Sequence, residues 1–195
     1  LSGRISILEL DGLSLREVDG IPFNRHFLPS ESYLNEREKQ LAKHDNIWSI
    51  IHRGSYPELY SNPEKEWVDF YQSYVKTYLE RDVNQLIKAK NYLTFVKFMT
   101  AIAARTGQIL NCSNIASGLC CYLTRWLTPE TLENGAMAGA IFETFVVNEI
   151  LKSYSNEGLD YDFSVFYYNG KDKKKKKTNG VYETVEGEID LILSE

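Results

Sequence analysis

Glu143 stands in the stretch AGAIFETFVVNEILKSY (residues 138–154). At 3.6 residues per turn, Val146, Val147, Ile150 and Tyr154 make one apolar face, with Phe142 beside them and Glu143 in the middle. A carboxylate facing a core is costly without a partner, so Glu143 predicts a cation or a donor nearby. Asp190 raises the same question in EGEIDLIL. Strict alternation there places Ile189, Leu191 and Leu193 on one side and Glu188, Asp190 and Ile192 on the other. Glu149 lies nearer the edge of the helix's apolar face and reads as a surface residue. A third group is the lysine run KDKKKKK (171–177), with Lys173, Lys174, Lys175, Lys176 and Lys177 consecutive. Such a run can contact phosphates through counterion release, as on DNA. It can equally be a solvated hairpin loop kept open by self-repulsion, the favoured reading. No aromatic residue interrupts it, so it offers no base-stacking platform.

Other charged groups read as structural. TYLERDV places Glu80, Arg81 and Asp82 together, and such blocks more often lock helix packing through ion pairs than do chemistry. Arg105 and Gln108 in AARTGQ read the same way, with Arg105 in a last helical turn where a cation meets the helix dipole. The aromatic stripe of residues 67–78 reads as core. Cys112, Cys120 and Cys121 form no CxxC pair, and His26, His44 and His52 show no metal-ligand spacing. That argues against a disulfide framework or zinc site and fits a reducing cytoplasm. The net charge of -5 does not suggest a wholesale nucleic-acid binder. No apolar run approaches membrane-spanning length, so no membrane association is expected.

The elements that must position these residues follow from periodicity and punctuation. RISILEL (4–10) alternates as a strand, and residues 20–36, with Gly20, Pro22 and Pro29, read as a connector. SYLNEREKQLAKHDNIWSIIHRG predicts a helix ending near Gly54. SYPELYSNP is a loop. After Pro63, the spacing of Trp67, Phe70, Tyr71, Tyr74 and Tyr78 predicts a long helix. NYLTFVKFMTAIAARTG predicts another, closed at Gly107. SNIAS (113–117), residues 118–127 and residues 138–156 read as helical. FSVFYY (163–168) and VYETVEGEIDLIL (181–193) read as strands, joined by the polar loop NGKDKKKKKTNG.

Several of these blocks resemble one family. SYVKTYLERDVNQL and FVKFMTAIAARTGQILNCSNIA are similar to signature blocks of DUF4143, the C-terminal half of a class of prokaryotic AAA-family ATPases. LSGRISILELDGLSLRE resembles the end of their ATPase domain. AGAIFETFVVNEILKSY with GEIDLIL resembles the family's closing region, which is like the core of PD-(D/E)xK nucleases. The resemblance implies ATP and Mg²⁺ for the parent protein and an ATPase domain in the same polypeptide. These residues carry no GxxxxGK[ST] loop, so the chain alone is not expected to hydrolyse ATP. It also implies metal-ligand and catalytic roles for Glu143 and Asp190, with Glu188 a further metal ligand. Mg²⁺ held by such carboxylates would neutralise phosphate charge and supply hydroxide. The ExK strand of that pattern is missing, since the chain stops at Glu195. SNIAS runs directly into GLCCYLTRW where the family carries a recognition helix and wing, so a skipped stretch is expected between Ser117 and Gly118. The chain reads as a piece of something longer.

The fold expectation is therefore α+β: a helical middle with a partial winged helix-turn-helix, then a restriction-endonuclease-like α/β module. Residues 1–30 would be the tail of an AAA-type ATPase domain and a connector, 31–127 the helical region, and 128–195 the incomplete nuclease-like module. The functional expectation is a cytoplasmic, nucleic-acid-associated accessory region of an ATPase, without catalysis of its own. The alternatives are a Mg²⁺-dependent nuclease and a protein-binding oligomerisation scaffold.

Overall fold

A computed structural model describes residues 10–78, 92–103, 117–161, 165–176 and 182–193, with 92–95, 166–176 and 182–192 described through their backbone. The expected strand 4–10 falls almost wholly outside these residues. Of the expected helix-turn-helix stretch 91–117, residues 91 and 104–116 also fall outside.

The first helix is held by its own cap. Ser14 Oγ accepts from the Glu17 N–H, and the Glu17 carboxylate accepts from the Ser14 N–H at 2.8 Å. This closes α1 (Leu15–Val18), which is too short to persist on propensity alone. An extended segment leads to α2 (Glu31–Glu38), capped by Ser30. The helix expected through to Gly54 is interrupted. α3 (Ile47–Arg53) begins afresh at Asn46, whose side chain accepts from the Trp48 N–H at 2.8 Å. It does end at Gly54, which adopts φ +84, a conformation open to glycine. The expected loop after it holds one more turn, α4 (Pro57–Ser61), with Pro57 at the position where its missing N–H is harmless.

α5 (Trp67–Tyr78) and α6 (Tyr92–Ala103) follow, then α7 (Ser117–Thr124), α8 (Pro129–Glu133) and α9 (Ala138–Glu157). α9 stops at Gly158, which takes a left-handed conformation. Ser117 and Gly118, between which a skipped stretch is expected, are the first two residues of α7.

α7 is the hub of the core. Its adjacent cysteines are both fully buried but enter different clusters. Cys120 packs with Leu59, Phe70, Tyr71 and Leu123, and Cys121 with Ile51, Leu132 and Ile141. Successive helical residues point about 100° apart, so a helix covered on two sides can bury neighbours in separate clusters. Trp67 touches both clusters and joins them. The aromatic stripe of α5 is core, as its spacing predicts. The second cluster also joins residues on either side of the expected 127/128 boundary.

The closing segment departs from the expected α/β module. Among the described residues the strands are β1 (Val165–Lys176) and β2 (Tyr182–Leu193), paired antiparallel in a two-stranded sheet. A restriction-endonuclease-like module needs a multistranded sheet flanked by helices. The described protein is predominantly helical with one hairpin, so the α+β expectation is corrected. The lysine run is corrected as well, since β1 continues through Lys176 rather than ending at Tyr168. The register gives the physical reason. Lys171 stands opposite Glu186 and Lys175 opposite Glu183, so the register sets residues of opposite charge at facing positions, an arrangement that favours a ladder.

Candidate functional site

α9 carries the residue that raised the chemical question. Its buried positions are Ile141, Asn148, Leu151, Ser153 and Tyr154, whereas Phe142 and Val146 are 41% and 40% exposed. The core-facing side is thus rotated away from the one periodicity assigned. Glu143 is half-buried and has an interaction partner.

Glu149, read as a surface residue, proves to be the anchor of α9. Its Oε2 accepts from the Leu15 N–H at 2.7 Å, satisfying a donor at the start of α1. Its Oε1 pairs with Lys152 Nζ at 3.1 Å, and the same ammonium donates to the Leu13 carbonyl at 2.9 Å. Asn156 reaches the Glu17 carboxylate at 3.2 Å and Ser14 Oγ at 3.3 Å. Burial opposes ionisation of Glu17, but hydrogen bonds from Ser14 and Asn156 and the Lys152 charge hold it below the usual carboxylate range. Together these side chains clamp residues 13–17 onto a helix that starts more than 120 residues later. A small recess lies beside the clamp, edged by Tyr60, Ser117 and Phe145.

The remaining expected site residues lie on β2, on β1 or outside the described segments. Glu188 is opposite Asn169. Asp190 falls at a register shift, where Asp190 and Leu191 face the single residue Tyr167. A two-against-one bulge breaks strict alternation, so Ile189 and Ile192 share one face and the positions of Glu186, Glu188 and Asp190 the other. Asp190 therefore does not share a face with Ile192, contrary to the alternation read from the sequence. Lys173, Lys174, Lys175 and Lys176 occupy β1 positions. The side chains of these β1 and β2 residues are outside the described ones, as are Lys177, Glu80, Arg81, Asp82, Arg105 and Gln108 altogether. Among the described residues, no three of His, Cys, Asp and Glu converge as a metal-ligand group.

A dense polar arrangement lies at the end of α3, and the sequence reading did not single it out. Four consecutive carbonyls there each accept from a different side chain. Ser117 Oγ donates to Ile51 O at 2.9 Å and Trp67 Nε1 to His52 O at 2.8 Å. Tyr71 Oη donates to Arg53 O at 3.0 Å and Tyr60 Oη to Gly54 O at 2.7 Å. The donors come from α7, α5 and α4, so the terminal carbonyls a helix leaves unsatisfied are met by tertiary partners. Burial raises the Tyr71 phenol above its ordinary value and pushes Tyr60 up to about 12, so both hydroxyls keep the protons they donate.

His52 belongs to the same node. Its ring stacks on Trp67 with centroids 4.1 Å apart, and Nε2 lies 2.9 Å from the Trp126 carbonyl. That contact requires the Nε2–H form. Burial pulls its pKa below the ordinary histidine value, against the smaller opposing effects of the Trp126 carbonyl and Glu130.

The comparisons with known proteins bear on the central part of the chain. No curated protein and no solved structure matches it. The expected membership of the DUF4143 class of AAA-type ATPases is overturned, because the family model that matches is a different one. No helix among the described residues is long and apolar enough to cross a membrane. Residues 44–133, spanning α3 to α8 and the whole carbonyl node, are similar to the family described as a domain of unknown function, DUF8612.

Proposed function

We propose that this region is a non-catalytic scaffold that works through protein–protein contact, with a second copy of itself as the partner. The observation that carries this reading is where the chemically capable side chains are engaged. His52, Arg53, Tyr71, Ser117, Glu149 and Lys152 all bond to main-chain groups of neighbouring elements. Such contacts fix a shape and leave those groups without the open position that a reacting atom needs. The outer side of α9 supports the same reading: Phe142 and Val146 lie one turn apart, both exposed, and helix stripes of this kind pair with helices. The lysine strand gives less support to nucleic-acid contact, since acidic positions face Lys171 and Lys175 in the register.

Sedimentation velocity over a wide concentration range tests the proposal. The wild-type protein should show concentration-dependent association that Val146→Glu removes. A strictly monomeric wild type would overturn it. So would Mg²⁺-dependent DNA cutting that both Glu143→Ala and Asp190→Ala abolish.

A further inference from the structure

Arg16 is 7% exposed and has no carboxylate partner among the described residues. Its Nη1 donates to the Phe23 carbonyl and, at 2.9 Å, to the Arg25 carbonyl. Its Nη2 is buried and has no hydrogen-bond partner among the described residues. A buried guanidinium whose charge meets only carbonyl dipoles and a ring face is a costly arrangement, and one that a bound anion would relieve. Among the described residues, the acids that bond to residues 14–26 are engaged elsewhere: Glu17 by Ser14 and Asn156, Glu149 by Leu15 and Lys152, Glu157 by His26, and Glu36 by Arg25. A second cation points the same way. The Arg16 and Arg37 guanidinium carbons lie 5.7 and 5.5 Å from the centroid of the buried Phe23 ring. Both positive groups thus lie against one aromatic side chain.

We propose that Arg16 and Arg37 form a binding site for a carboxylate beside Phe23. Nη2 shares the side edge of the guanidinium fork with Nε, and that edge matches a planar carboxylate through two parallel N–H···O bonds. A phosphate can make the same pair of bonds, but burying its extra charge costs more than burying a carboxylate. The site stands independently of the scaffold reading, because the carboxylate can belong to a small acid or to an acidic side chain.

Thermal unfolding in sodium acetate and in sodium glutarate, each against sodium chloride at equal ionic strength, tests this site. A carboxylate at ten times its Kd should raise the Tm by about 3 °C beyond the chloride control. Arg16→Met should lose that increment, and Arg37→Gln should reduce it without changing the fold. Arg16→Lys, which keeps the charge but not the fork, should also lose most of it, and it serves if the methionine variant does not fold. Identical Tm in acetate, glutarate and chloride would overturn the site, as would a full carboxylate response in both Arg16 variants. A larger shift with inorganic phosphate than with either carboxylate would overturn the assignment of the ligand.

Discussion

At the scale of single residues, two glycines make opposite predictions. A Cβ on Gly118 would sit 2.2 Å from Tyr71 Oη and 2.8 Å from the Arg53 carbonyl. Backbone cannot step aside as a side-chain tip can, so Gly118→Ala should lower the unfolding free energy by about 3 kcal/mol, read as a reduced urea midpoint. A Cβ on Gly139, in α9, meets nothing within 4 Å. Gly139→Ala should therefore gain about 0.5–1 kcal/mol by the same measurement. Tyr71→Phe isolates the hydroxyl. It leaves the Arg53 carbonyl without that donor, and a loss of about 1–3 kcal/mol is expected. An unchanged midpoint would mean that water replaces the phenol.

At the scale of elements, the junction of α3, α5 and the end of α7 should respond to pH. The folded state holds His52 below the ordinary 6.5, so the unfolded chain takes up the proton first as pH falls. Stability should therefore drop as pH falls through about 6.5, and His52→Gln should remove that step from a pH series of urea midpoints. Glu17 and Glu157 act lower down. Both are held below 4.5, Glu157 chiefly by hydrogen bonds with His26, so their contribution is full above that pH and fades beneath it. The two windows separate the histidine from the carboxylates. These elements also show what local pattern can reveal. The end of α3 at Gly54 and the core stripe of α5 were legible because glycine and helical spacing act within a few residues. The role of Glu149 was hidden, because its partner Leu15 is 134 residues away in sequence. The strand conformation of the lysine run was hidden for a similar reason, since its acidic neighbours come from β2. α9 misled for a different reason: Phe142 and Val146 look like core residues, yet lie on the exposed side.

At the scale of the whole molecule, α3 cannot melt alone. Its last carbonyls are held by donors from three other helices. Native-state hydrogen exchange should therefore find the slowest amides of α3 and α7 opening with one common free energy, equal to that of global unfolding. Distinct free energies for the two helices would show that the node does not couple them. The chain also carries a built-in reporter of that opening. Cys120 and Cys121 are shut into two different halves of the interior, and burial pushes the Cys121 thiol up to about 12. A thiol-reactive dye added to a Cys112→Ser variant can reach either sulfur only after the interior parts, so unequal labelling rates at the two sites would reveal which half loosens first.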